Sequence, residues 1–400
     1  MAKTSTGPLA GTRILDLTTV MMGPSATQAL AELGADVIKI EAPAGDPIRG
    51  IGPGRHAEMG ALFLNANAGK RSVVLDLKQP AGRDALLRLA ATADVLVYNV
   101  RPKAMARLGL SYADLAKAKP DIIYAGLIGF GQDGPYAARP AYDDLIQGAS
   151  LIASLLAEAG DGTPRYVPSA IADRVVGLAA VGAICAALYH RARTGEGQQI
   201  DIPMFETMVG FIFGDHLGGL TFDPPLDSGG YPRLLAPHRR PYKTRDGYVC
   251  VLIYNDKQWR AFFEAIGEPQ RVEQDPRLRN MDSRNRHIGE LYGEVSRLFL
   301  ERTTAEWTKL LEDADIPVLP YHDRTTIFDD PHLAAIDFFR HDTHPTEGPV
   351  RTMRAASTWS RTQPGHVRHA PRKGADTVAL LREAGLTDDE IEACTGSQRD

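Results

Sequence analysis

Asp173 stands one residue, Arg174, before Val175–Tyr189, a run made only of apolar residues and glycines. A helix over such a run is expected to be buried. A carboxylate at its polar entrance has the chemistry of a covalent nucleophile or a general base. Asp is equally a favoured helix N-cap, and capping aspartates far outnumber catalytic ones. The local sequence does not separate the two roles.

Other chemistry-bearing residues fall into small sets. Lys70, Arg71, Lys78, Arg101, Lys103 and Arg107 flank the expected strands over residues 72–76 and 94–98, where phosphates could be held by charge-assisted hydrogen bonds. A solvated charged rim would leave the same signature. His238, Arg239 and Arg240 precede Tyr242. Arginine pairs with a carboxylate through two parallel bonds, so this triplet is either a substrate contact or a surface turn.

Gly129-Phe-Gly-Gln-Asp-Gly134 has the spacing of a dinucleotide fingerprint, yet Pro135, Arg139 and Pro140 deny it the helix whose N-terminus would hold the pyrophosphate. We therefore read a backbone loop whose glycines permit positive φ near a ligand, and no NAD. The sequence lacks a P-loop and a His-Glu-x-x-His pair. Leu151 and Ile152 after Gly148-Ala-Ser150 remove the turn of a hydrolase elbow. His332, His341, His344, His366 and His369 are expected on a solvated surface, and no metal is expected.

The elements that must carry these residues alternate. Residues 13–17 read as strand, an Ala/Leu-rich helix follows to Leu33, and residues 34–40 read as strand again. The alternation repeats through residues 72–76, a helix from Pro80, residues 94–98, a helix near Tyr112–Lys117 and residues 121–128. This is the pattern of a parallel sheet with crossover helices. The expected fold class is α/β, with a Rossmann-like doubly wound large domain over residues 1–213. Residues 214–330 read as a linker and a smaller α+β domain, with a hairpin turned at Arg245-Asp-Gly247 and a capping box at Thr303/Glu306. Residues 331–400 return to the large domain as a loop-rich segment and two helices, the second opened by Thr387/Glu390.

A net charge of −5 provides no basic field for nucleic acid or an anionic membrane. Cys185, Cys250 and Cys394 lie far apart, which fits a reducing, cytoplasmic setting better than a disulfide framework. Residues 1–11 show no apolar stretch of a signal peptide. The run after Asp173 is shorter than the roughly 18–20 residues of a membrane span, so it reads as protein core.

Several motifs taken together resemble family III coenzyme A transferases. They are Gly11–Thr18 with Gly23-Pro24, Leu33–Glu41 with Gly45-Asp-Pro47, Asn67 with Lys70–Ser72, Leu75–Lys78, Asp94–Asn99, Arg107-Leu-Gly109, Gly129-Phe-Gly131 with Gly134-Pro135, Ala172-Asp173, Thr194–Gln198, and Ile316-Pro317 with Pro320. They run through nearly the whole chain in order.

The resemblance implies ring-like chains interlocked in a homodimer, and transfer of CoA from an acyl-CoA to a free carboxylic acid. It makes Asp173 the nucleophile that forms a mixed anhydride and then an aspartyl-CoA thioester. It places Leu75 to Lys78 near adenine and ribose, and Asn99 and Arg107 near the phosphates and pantetheine. Val20, Met21 and Tyr142 are assigned to the coenzyme side as well. Gly129, Gly131, His238 and Arg239 are assigned to substrate, with the amides of residues 129–134 as oxyanion donors. No permanently bound cofactor is implied, since coenzyme A is a substrate.

Met21 replaces a glutamine of formyl-CoA transferases and Ala42 an arginine, and residues 214–241 lack their glycine-rich covering loop, so formyl-CoA and oxalate are not the expected pair. A dicarboxylyl-CoA such as succinyl-CoA is a better candidate donor. Racemases of the same fold pair the aspartate with a His in Gly-His-Asp; here the residues are Ala141-Tyr-Asp143, and a tyrosine with a reference pKa of about 10 is a poor base. An acyl-CoA isomerase, racemase or intramolecular CoA transferase is the alternative activity.

Overall fold

The computed structural model describes residues 7–366 and 368–395; the part of the N-terminal reading that falls on Met1–Thr6 lies outside them. The chain divides into two compact units. The first takes the chain up to Ser150, Val167–Gly210 and the chain from Ala335 on; the second takes Leu151–Tyr166 and Phe211–Ala334. The excursion Leu151–Tyr166, expected in the large domain, thus belongs to the second unit. Leu151 has a left-handed φ of 75° that redirects the backbone, and the following helix Ile152–Ala159 packs against the short helix Pro232–Leu235 of that unit.

The first unit is built on strands β1 (Arg13–Leu17), β2 (Asp36–Glu41), β3 (Arg71–Val74), β4 (Val95–Tyr98), β5 (Ile123–Ile128) and β6 (Gln198–Pro203). They form one six-stranded sheet in the order β3-β2-β1-β4-β5-β6, every pair parallel. Parallel strands buried on both faces read as continuous apolar runs. Leu15, Leu17, Ile38, Ile40, Leu96 and Tyr98 sit in one core cluster with Leu86 and Leu89 of the helix Pro80–Ala91 and with Leu380 and Leu381 of the helix Thr377–Glu383. Their neighbours of opposite parity include the buried polar residues Asp16, Lys39 and Ser72.

The order reverses between β1 and β4, and a crevice past the carboxyl ends of the strands at such a point is where ligands bind in open α/β sheets. In the return segment the loop expected over residues 331–372 contains an antiparallel hairpin, β10 (Phe339–His344) with β11 (Gly348–Met353). Its mostly exposed, polar strands carry little of the alternation that would announce them.

The Asp173 helix spans Ile171–Thr194 and departs from the expectation of a buried core helix. By length and composition it is apolar enough to cross a membrane, and only 33% of its most apolar window is buried. One face packs on the helix Met22–Glu32, where Gly177 permits the approach: a Cβ there would stand 2.7 Å from Ser25 Oγ. Leu178 and Tyr189 remain exposed.

In the second unit, β7 (Tyr242–Lys243), β8 (Tyr248–Val251) and β9 (Val318–Pro320) form an antiparallel sheet. Thr244 donates its amide to Gly247 O at 2.9 Å, closing the hairpin at the expected turn. Trp259, Phe262, Phe299 and Trp307 fill the core, with Trp307 Nε1 donating to Phe299 O at 2.9 Å. The Thr303/Glu306 capping box forms, as does the reciprocal Thr387/Glu390 pair in the first unit.

Candidate active site

At the carboxyl end of β1 the chain is held by buried charge. Asp16 accepts from the Thr18 amide at 2.9 Å and from Lys70 Nζ at 2.9 Å. Lys39 Nζ donates to Thr18 O at 2.8 Å and pairs with Asp46 at 2.8 Å. Asp46 in turn accepts from the Val20 amide at 3.2 Å. Val20 is held at a left-handed φ of 69°, a conformation unusual for a β-branched residue and retained only where surroundings enforce it.

Asn99, beyond β4, brackets the same loop: it accepts from the Thr19 amide at 3.1 Å and donates to Thr19 O at 2.8 Å. Val20, Met21 and Asn99 therefore meet at the reversal of the sheet. Val20 is partly exposed, whereas Met21 is buried.

The expected basic rim separates into two groups. Lys70 is buried and spent on Asp16 and Asn67. Arg71, at the start of β3, pairs with Asp36 and with Glu383 at 3.5 Å, so neither residue is a free phosphate ligand. Lys78, Arg101, Lys103 and Arg107 stay exposed. Leu75 is wholly buried in the sheet core, which leaves its main chain as the part that could meet a ligand.

The entrance to the Asp173 helix is built differently. Ala170 is the N-cap and has no capping side chain, so Asp173 is a first-turn residue and not the cap weighed from sequence. The acceptor comes from Asp143, whose Oδ1 takes the Asp173 amide proton at 2.9 Å. Gln147, fully buried, donates to Asp143 Oδ2 at 2.6 Å. It also accepts from the Val167 amide at 2.8 Å and donates to Ser169 O at 3.2 Å, tying the segment before the helix to the helix Asp143–Ala149.

Among the described residues nothing hydrogen-bonds or ion-pairs the Asp173 carboxyl. Burial, and then the charge of Asp143, push it up to about 7 against a smaller opposite pull from Arg174. An acid so placed is half ionised near neutrality and unshielded by donors, which suits a carboxylate that must attack.

The glycine loop is pinned, and none of Gly129, Gly131 and Gly134 takes the positive φ expected there. Gly131 donates its amide to Glu206 Oε1 at 2.7 Å, and Gly134 donates to Gly131 O at 3.4 Å. The amides of these two residues are thus engaged, which removes them as free oxyanion donors. A Cβ on Gly129 would lie 2.4 Å from Ala141 Cβ, so this glycine permits the close pass of the segment that leads to Asp143. Tyr142, the N-cap of the Asp143–Ala149 helix, is 66% exposed.

Residues 9–377 match the sequence model of CoA-transferase family III. The chain belongs to CoA-transferase family III. It is a transferase enzyme that moves CoA between an acyl-CoA and a carboxylic acid. It is 34% identical over 388 residues to the succinate–glutarate CoA-transferase of Agrobacterium fabrum, covering 94% of this chain and 95% of that protein. It is 33% identical over 379 residues to the succinyl-CoA:glutarate CoA-transferase of Mus musculus, covering 94% and 86%. The crystal structure of Rv3272 from M. tuberculosis superposes with a TM-score of 0.80 at 30% identity, covering 94% of this chain and 99% of that one.

In this CoA-transferase the remaining sequence assignments scatter. His238 and Arg239, in the second unit, border different cavities: His238 lies with Lys243 and Arg297, Arg239 with Arg233 and Tyr292. The histidines expected on a solvated surface divide as well. His344 is buried, donating through Nε2 to Ala370 O at 2.9 Å, while His366 pairs with Glu32 at 2.7 Å and His369 with Asp342 at 3.3 Å. No group able to hold a metal ion occurs among the described residues.

Asp143 and Gln147 are the neighbours of Asp173 that sequence reading passed over. Their signal was present as an i,i+4 pair, a spacing that places two side chains together on a helix.

Proposed function

We propose that this CoA-transferase exchanges CoA between a dicarboxylyl-CoA, such as succinyl-CoA, and a second free acid, with Asp173 as covalent nucleophile. The observation that carries the reading is the Asp173 carboxyl itself: raised to about 7, free of donors among the described residues, and fixed through its amide by Asp143. A carboxylate oxygen of Asp173 attacks the thioester carbonyl, the C–S bond breaks and CoA leaves as thiolate, giving a mixed anhydride. The thiolate then attacks the Asp173 carbonyl and releases the first acid, leaving an aspartyl-CoA thioester. The incoming acid reverses the two steps. Carboxylate is exchanged for carboxylate and thioester for thioester, so neither ATP nor a permanently bound cofactor is required.

The dicarboxylate preference draws on the named activities of the Agrobacterium fabrum and Mus musculus relatives. Val20, Met21, Asn99, Lys78 and Arg107 are proposed on the coenzyme side, around the reversal point of the sheet, with Tyr142 beside Asp143. A homodimer of interlocked, ring-like chains belongs to the same reading, since exposed Leu178 and Tyr189 suit coverage by a second copy. Racemisation or another isomerisation is the weaker reading, because the residue before Asp143 is the exposed phenol of Tyr142 rather than an imidazole.

Incubation with succinyl-CoA followed by hydroxylamine should convert Asp173 to its hydroxamate, read by peptide mass spectrometry. Full CoA exchange with an unmodified Asp173 peptide would overturn the covalent mechanism.

A further inference from the structure

The second unit contains a cavity of about 570 Å³, within the range of about 300–1,000 Å³ common to small-molecule sites. Its wall carries Arg240, Lys243, Arg297, His238, Tyr248 and Tyr321, and no Asp or Glu contributes to it. Arg240, Lys243 and Arg297 form no ion pair among the described residues. Some cations elsewhere in this unit do: Arg277 binds Asp275 at 2.7 Å and Glu294 at 2.8 Å, and Arg284 binds Asp256. Cations left together without a counter-charge in a concave site raise the local potential for anions.

The cavity is assembled from rigid pieces. Lys243 lies opposite Tyr248 across the β7–β8 hairpin, the hairpin whose turn was legible as Asp-Gly. Arg297 lies on the helix Ile288–Leu298, in its last turn. His238 fits against that helix because residue 293 is glycine: a Cβ there would stand 3.2 Å from the imidazole. Tyr242 behind the wall stacks on Phe299 with ring centroids 4.6 Å apart, anchoring the strand that carries Lys243. Tyr248 and Tyr321 pair at 5.5 Å and give the cavity an aromatic side next to its cationic one.

We propose that this cavity is a recognition site for a short aliphatic dicarboxylic acid, with Arg240 and Arg297 taking carboxylates and the Tyr248/Tyr321 pair covering the methylenes. Guanidinium groups fit carboxylates through paired hydrogen bonds, Lys243 adds a point charge, and the absence of acidic lining residues removes the competing internal partner. The inference rests on the reading of the chain as a dicarboxylate CoA-transferase and assigns that substrate class to Arg240 and Arg297. It keeps His238 and Arg240 of the triplet expected from sequence, leaves out Arg239 and adds the distant Arg297.

The test uses the full chain with glutarate, butyrate and adenosine 3′,5′-bisphosphate as probes, comparing wild type with Arg240→Gln and Arg297→Gln. Because both side chains are exposed, the variants should unfold at the wild-type temperature, and Arg297→Lys should recover part of the loss. The proposal expects saturable glutarate binding by calorimetry, weakened about tenfold or more in each Gln variant. It also expects selectivity for glutarate over butyrate in CoA exchange to fall by about the same factor.

Glutarate binding and selectivity unchanged in both variants would overturn it. So would displacement of glutarate binding to this cavity by the bisphosphate at equal concentration, which would assign the cations to nucleotide phosphates. A wild-type protein that exchanges CoA with no acid would refute the transferase reading, while the calorimetric arm would still decide the pocket.

Discussion

Buried charge is handled in opposite ways at two places in the first unit. Beyond β1, Asp16, Lys39, Asp46 and Lys70 are all but excluded from solvent, and each meets an opposite charge within 2.9 Å. At the mouth of the Asp173 helix, two carboxyl residues adjoin and, among the described residues, no cation pairs with either. The consequences diverge. Burial alone would raise the Asp16 carboxyl, yet Lys70 and Lys39 hold it well below the usual carboxylate range, whereas burial and Asp143 together lift Asp173. Paired charge fixes the shape of the Thr18–Met21 loop; burial beside a like charge leaves one acid raised toward neutrality.

The sharpest way to break this comparison is Asp173→Asn. CoA exchange should fall by about 10⁴-fold or more, the scale seen when a covalent nucleophile is removed, measured as turnover with succinyl-CoA and glutarate. Stability should move the other way. Because the folded carboxyl titrates above its unfolded value, the stability it contributes is fully present below about pH 4 and is lost as pH rises through about 7. Asp173→Asn should therefore be at least as stable as the parent at pH 8 in urea unfolding, despite its inactivity. A variant that is both inactive and markedly less stable at pH 8 would mean that the acid is structural.

Lys70→Met probes the other half. Removing one partner of a buried ion pair strands the remaining charge, at a cost of about 3–5 kcal/mol. Lys70 itself is displaced downward to about 8, first by burial and against the pull of Asp16, which shows how dry the site is. The expectation is a lower urea midpoint with an unchanged slope, and a Thr18–Met21 loop that loses its support. A loss below about 1 kcal/mol, the value of an exposed pair, would mean that water enters and screens the network.

These two regions also differ in how far sequence could disclose them. The parallel sheet was legible because strands buried on both faces announce themselves as apolar runs between helices. The Asp-Gly hairpin and the Thr303 and Thr387 caps were legible because their chemistry is local. Asp173 was found as a residue but mistaken in its local setting, since a first-turn acid and an N-cap differ by three positions, and helix ends shift by that much under tertiary contacts. Lys70 was read as a phosphate contact or a rim cation because its partner Asp16 is remote in sequence and only the fold brings them together. The Asp173 helix was read as core for a similar reason: composition reports that a helix is apolar, not which of its faces the same chain covers.

Asp143→Asn tests whether the adjoining charge, and not burial alone, separates the two regions. The amide oxygen can still accept the Asp173 N–H, while the bond that Asp143 Oδ2 accepts from Gln147 Nε2 is lost with the negative charge. With Asp143 no longer opposing ionisation, the Asp173 carboxyl should titrate lower, and the rise of kcat/KM with pH, centred near 7 in the parent, should shift to lower pH. The shift is bounded, because burial is the larger cause and remains. Exchange at pH 6 should then increase several-fold relative to the parent, by at most the factor of about ten per pKa unit, with no gain at pH 8, where Asp173 is already ionised in both. A midpoint that stays in place would leave burial as the whole cause and reduce Asp143 to a capping residue. A fall in rate at every pH would instead mean that the Asp143 carboxylate supports the reaction or the helix entrance directly, rather than tuning the nucleophile.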